Sequence, residues 1–112
     1  MANIYTAEQI EVTGSASQLV YTCPPNTAAI ITGATIANTA AVARLVDADI
    51  VRGGGTPAIA DSVIIKQPVQ LEDDIFLDKL IGKHLNSGDE VYINLDAAGS
   101  CVAILDIREI VG

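Results

Sequence analysis

The sequence has no tryptophan, one phenylalanine and three tyrosines, so aromatics make up only 4% of its 112 residues. A groove that stacks sugar rings or bases uses aromatic faces, and this chain offers few. Basic residues are scarce too: six Lys and Arg stand against fourteen Asp and Glu, a formal net charge of -8. Self-repulsion at that charge favours solubility and opposes polyanionic partners, so direct nucleic-acid binding is not expected. The single histidine, His84, leaves neither a histidine-rich metal site nor a second histidine base. Cys23 and Cys101 are too few and too widely spaced for a disulfide framework or a metal knuckle, and are expected to be two unpaired, buried thiols. Apolar runs stop well short of the ~20 residues of a membrane-spanning helix. Met1-Ala2-Asn3-Ile4-Tyr5 lacks the basic and apolar regions of a signal peptide, so the expectation is a protein made and folded in a cytoplasm, without a membrane partner.

What is present is small and branched. Half the residues are hydrophobic, mostly Ala, Val and Ile, which suit the pleated surface of a sheet. A chain of this length buries about two-thirds of its unfolded surface, enough for one domain spanning residues 1–112. The clearest punctuation lies at Pro24-Pro25-Asn26-Thr27, between the runs Leu19–Cys23 and Ala28–Asn38. Proline cannot donate to a central ladder, so two strands are expected there, joined as a hairpin. The second strand reads as Ile30, Thr32, Ala34, Ile36 and Asn38 against Ala29, Ile31, Gly33, Thr35 and Ala37, packed closely on both sides.

Further strands follow from period-two alternation: Ile4 to Val12, Val42 to Arg52 with one wet face, and Ala58 to Gln67 with Pro68 interrupting it. Glu90 to Leu95 and Cys101 to Val111 complete the set. Between Ile75 and Ile81 a strand competes with a short helix that would carry Glu72-Asp73-Asp74 at its start and Gly82 at its end; the strand is preferred. Gly53-Gly54-Gly55-Thr56-Pro57 reads as a mobile loop. It is not a phosphate cradle, because no Lys-Ser/Thr closes it and no helical pattern follows. The count is about eight strands, an all-β fold with a single antiparallel β-sandwich of jelly-roll type.

No catalytic residue emerges. Ser15, Ser17, Ser62, Ser87, Ser100, Cys23 and Cys101 are possible nucleophiles, but none sits in a Gly-x-Ser-x-Gly elbow or beside the one histidine in a recognisable motif. His84 reads as a turn-exposed residue. Asp47 and Asp49 share a strand face, with Asp61 and the run Glu72-Asp73-Asp74 elsewhere; these carboxylates could gather a hard cation, yet no Asp-x-Asp-x-Asp-Gly loop ending in Glu is present. Solvated surface charge is the simpler reading. No metal, cofactor or catalytic site is expected.

The order of motifs carries a resemblance. Tyr21-Thr22-Cys23-Pro24-Pro25-Asn26-Thr27-Ala28-Ala29-Ile30-Ile31, then Ile36-Ala37-Asn38-Thr39, a Gly-rich loop, Leu85-Asn86-Ser87-Gly88-Asp89-Glu90-Val91 and Asp96-Ala97-Ala98-Gly99-Ser100 resemble small β-sandwich virion proteins of tailed bacteriophages, of the capsid decoration or cement type. The sequence departs from that pattern in Cys23 before the prolines and in the acidic run. The resemblance implies a non-enzymatic structural protein on the outer surface of a capsid, with the major capsid protein or other virion proteins as partners. A tail, collar or fibre-associated subunit is the alternative, and a carbohydrate- or calcium-binding module using Asp47, Asp49 and the acidic run is another. Edge strands add an expectation of self-association as a dimer or trimer: Ile4 to Val12 lacks Pro and Lys, and Val102 to Ile110 is largely apolar. Either strand is expected at a subunit contact, unless the two pair with each other inside one subunit.

Overall fold

The two ends of the chain form one ladder. In the computed structural model, which describes residues 2–112, β1 (Ala2–Val12) runs antiparallel to β9 (Cys101–Val111) from Ala2 opposite Val111 to Val12 opposite Cys101. The other flank of β9 is taken by β3 (Thr27–Asn38). Beyond β3 lie two short strands, β6 (Asp74–Phe76) and β7 (His84–Leu85). These make the first sheet. The second runs β2 (Gln18–Thr22), β8 (Glu90–Leu95), β4 (Arg44–Val51) and β5 (Ser62–Val69), again all antiparallel. The expected sandwich is present, with nine strands among the described residues.

Between the sheets lies a core of small branched residues. Ile31, Ile36, Ala103, Leu105 and Ile107 from the first sheet and Val46, Ala48, Val91, Ile93 and Leu95 from the second are all at most 1% exposed. Each large aliphatic side chain so buried contributes about 1.5–3 kcal/mol. Along β9 the odd residues from Cys101 to Glu109 face inward, which is why the C-terminal alternation is so regular.

The runs flanking Pro24-Pro25 are strands, but they do not form a hairpin. β2 pairs with β8 in the second sheet and β3 with β9 in the first, so the proline segment arches from one sheet to the other. The reason is a long-range pairing. Cys23 satisfies its N–H and C=O on Asp89 and Gly88 (2.9 and 3.0 Å), leaving nothing to exchange with β3. Asn26 adopts a left-handed conformation (φ 56°) and its amide donates to the Gly112 carbonyl at 2.7 Å, fixing the far end of the arch.

β3 also departs from simple alternation. Ala29 and Ile31 are buried, and so are Ala34, Ile36 and Asn38. The two sets are out of phase because a bulge between Ile31 and Gly33 inserts one residue opposite β9. Gly33 suits the spot, since a Cβ there would lie 2.7 Å from Asp106 Oδ2. The expectation of close packing on both faces is corrected: one face meets the core, and the other is the sandwich exterior, where Ile30, Thr35 and Ala37 are half-buried.

Two further expectations change. Pro68 lies within β5, opposite Leu45, because β5 is an edge strand and its outer flank needs no donor. The wet face expected of β4 is covered at one end, where Asp49 and Val51 are buried at 9% and 2% exposure. The segment after Val51 folds back over that end as a 3-10 turn at Arg52–Gly54, with Gly53 and Gly54 left-handed. The 75–81 stretch divides between the two readings: β6 takes Asp74–Phe76, and a run of turns then buries Leu77 and Leu80 before Gly82.

Candidate functional site

Three places gather chemistry-bearing side chains. The first is an open depression of about 420 Å³ on the outer face of the second sheet, lined by Asp47, Asp49, Ser62, Asn94 and Ser17, with Pro57 and Ala58 as a wall. Asp47 and Asp49 point there because alternate β4 residues share a face, and Asn94 lies beside Asp47 across the β4–β8 ladder. Burial pushes the Asp49 carboxyl up; the Ser62 hydroxyl works against this, and the neighbouring Asp61 and Asp47 charges add to it. Asp47 is already engaged, accepting the Lys66 N–H at 2.9 Å, and Asp61 accepts the Ala58 N–H at 3.0 Å. The run Glu72-Asp73-Asp74 does not join them. Glu72 and Asp73 lie in the turn leading into β6 of the first sheet and Asp74 opens that strand, so a module built from all these carboxylates has no common site. Among the described residues, no group of three or more His, Cys, Asp or Glu is arranged to hold a metal ion.

A second cluster clamps the glycine loop. Asp89, only 3% exposed, accepts from the Arg52 guanidinium at 2.7 Å, from the Gly53 N–H at 3.0 Å and from the Asn86 N–H at 2.8 Å. Burial alone would push this carboxyl up, but the bonds from Asn86, Arg52 and Gly53 outweigh it and hold it below the usual range. Sequence reasoning missed this clamp. Its one signal was an acid at the end of the Asn86-Ser87-Gly88 turn.

The third place is the seam between β1 and β2, where each sheet ends on the same side. The Tyr21 hydroxyl donates to the buried Glu109 carboxylate. Burial, and then that bond and charge, hold the Tyr21 hydroxyl far above its ordinary value. A depression of about 340 Å³, lined by Glu8, Leu19, Tyr21, Pro24 and Glu109, opens beside it.

The candidate nucleophiles are dispersed. Ser87 is held on the Thr27 backbone, and Ser100 is bonded to Glu11 and Thr39. Ser62 and Ser17 border the acidic depression, and Ser15 lies in the preceding loop. His84 is exposed, on β7 rather than in a turn, and among the described residues no serine or cysteine bonds to its ring. Cys23 and Cys101 are free and buried. Cys101 pairs with Val12 at one end of β9, whereas Cys23 bonds the Thr27 carbonyl beside Val111 at the other. About 30 Å of strand separates those ends, far beyond disulfide reach. Burial raises both thiols, which makes them poor nucleophiles.

The outer face of the first sheet gathers no such cluster. It presents Tyr5 (75% exposed) and Phe76 (69%) at its two sides, with half-buried Ile30, Val102, Ile104 and Ile110 between them. The register sets Gln9, Ile104, Thr35 and Phe76 in one row and Tyr5, Arg108, Ile30 and His84 in another. Among the described residues, the buried Nε of Arg108 has no acceptor.

No protein-family model and no curated protein matches the sequence. Solved structures do match. The chain superposes on a chain from the Bacillus endospore appendages, a family of disulfide-linked pili, with a TM-score of 0.59 and 14% identity over 98% of this chain and 89% of that one. It also superposes on a chain of infectious bursal disease virus, Gx strain, with a TM-score of 0.57 and 12% identity, covering 96% of this chain and 32% of that one. At such identities the likeness shows a shared β-sandwich fold.

Proposed function

We propose that the protein, as a single sandwich subunit of residues 1–112, is a non-enzymatic structural component of a larger assembly: a capsid decoration protein of the tailed-bacteriophage type that its motif order resembles. The observation that carries this reading is the outer face of the first sheet. A face that carries half-buried Ile30, Val102, Ile104 and Ile110 between the exposed Tyr5 and Phe76 is a surface for packing against protein. The net charge of -8 keeps such a subunit away from packaged DNA and suits the outside of a shell.

A filament subunit is the second reading. The pilus chain is matched along 89% of its own length, against 32% for the virus chain, so the comparison at whole-subunit scale is with a filament. Electron microscopy of purified particles and filaments from the source tests both readings. Density for the sandwich on the outer capsid surface supports the first, and density along a filament replaces it with the second. Absence from every purified assembly overturns both.

A further inference from the structure

The strands that end the two sheets are unequally guarded. β5 carries Pro68, a left-handed Lys66 (φ 50°) and shifts of register against β4. β2 has five residues and a register shift of its own, and β6 and β7 have three and two residues. Proline, lysine, bulges and shortness are the devices that stop an edge from recruiting another strand. β1 has none of them: its eleven residues pair with β9 without a shift, contain no Pro or Lys, and leave the opposite flank open from Asn3 to Gln9, the Glu11 carbonyl being taken by the Gln18 side-chain amide at 2.9 Å. β9 lies between β1 and β3 and so cannot offer an edge. Ile4 adds a second observation. It is on the core side of β1, in register with buried Glu109, yet 46% of it is exposed.

We propose that β1 pairs antiparallel with β1 of a second copy about a two-fold axis at Ala7, joining the two first sheets into one. This rests on the reading of the protein as an assembly subunit and names its partner. The occupant follows from the self-complementary register that β1 offers, and its orientation from charge. β1 carries Glu8 and Glu11 and no basic residue, so a parallel in-register copy would stack each acid on itself. A two-fold axis normal to the sheet keeps every side chain on its own face, which restricts the axis to a residue rather than a point between residues. Centred on Ala7, Glu8 lies opposite Thr6 and Glu11 opposite Asn3, Tyr5 meets Gln9, and the exposed Ile4 meets Ile10. Centred on Thr6, Ile4 would face Glu8; centred on Glu8, that acid would face itself. The ladder free of other partners runs from Tyr5 to Gln9, about 14 Å, with Asn3 and Glu11 flanking it. Each chain brings a charge of -8, so the pairing strengthens as salt screens it.

Light scattering of the full chain across micromolar concentrations, at low and moderate salt, is the first measurement. The expected result is a dimer favoured by salt, converted to monomer by Ala7→Glu, which sets two carboxylates face to face at the axis. Ala7 is exposed, but it lies opposite Asp106 within the subunit, so cooperative thermal unfolding of this variant is checked alongside. Ala7→Cys gives the second readout: under mild oxidation it forms a covalent dimer, whereas Asn3→Cys, far from its own copy in this register, does not. A wild-type monomer throughout, or equal cross-linking of both cysteine variants, overturns the proposal. An oligomer that survives Ala7→Glu overturns it too, and leaves the assembly reading standing on another contact. A dimer broken at Ala7 in a protein absent from every particle and filament does the reverse.

Discussion

β1 and β9 are equal in length and pair residue for residue, and both read in sequence as alternating strands. Yet β9 buries five side chains and β1 only Val12. The difference is position. β9 has a strand on each flank and the second sheet beneath it, whereas β1 ends its sheet, and its first half extends past the cover of β2. Alternation specifies a strand with two unlike faces. A second neighbour and an overlying sheet turn one of those faces into core.

The comparison breaks most visibly at Leu105, fully buried on β9. Leu105→Ala is expected to cost about 2–5 kcal/mol through lost transfer energy and the cavity left behind, read from denaturant unfolding. If it costs under about 1 kcal/mol, β9 is not the centre of the core.

An intermediate effect is expected at Tyr21, which faces Glu109 of β9. Tyr21→Phe keeps the ring but removes the hydroxyl that bonds that buried carboxylate, at a cost of about 1–3 kcal/mol at neutral pH. The pH dependence sharpens the test. The Tyr21 hydroxyl is raised above its ordinary value of 10.0 in the folded protein, so its contribution is complete below pH 10 and is lost as pH rises beyond it. Wild type therefore falls faster than Tyr21→Phe above pH 10, and the gap between them narrows. The raised Cys101 thiol and Tyr92 hydroxyl are common to both proteins and cancel in the difference; the Cys23 thiol interacts with the Tyr21 hydroxyl, so both proteins are compared in a Cys23→Ala background. A gap that stays constant to pH 11 would place the Tyr21 proton outside the folded-state linkage.

The smallest effect belongs to β1. Ile4→Ala is expected to change the stability of the isolated chain by no more than about 0.5 kcal/mol, because the side chain is 46% exposed there. Its effect is expected in self-association, where it removes the contact with Ile10 of the second copy. Equal losses at Ile4 and Leu105 in dilute unfolding experiments would erase the distinction between the two strands.

Much of the fold was legible in the residues. Alternation located β1, β8 and β9, because each keeps one phase from end to end. The prolines correctly separated β2 from β3, since a residue without an N–H interrupts a ladder whatever lies beyond it. The site was less legible. Asp47 and Asp49 were placed on one face, as the period of two requires, but the burial of Asp49 depends on Pro57, Ala58 and Ser62, which follow the glycine loop and gather beside it.

What the sequence determined, then, is local: which segments are extended, where they stop, and how small the core side chains are. Those follow from φ restrictions, missing donors and side-chain period, which act over a few residues. What only the tertiary structure decided is pairing. The arch at Pro24-Pro25 crosses between sheets because Cys23 finds its partners on Asp89 and Gly88, more than sixty residues later. The bulge at Thr32 shifts the face of β3 because β9 fixes the register on either side of it. Glu109 sits in the interior because Tyr21 reaches it from the opposite sheet. Each depends on a contact between residues far apart in the chain, which no local pattern encodes.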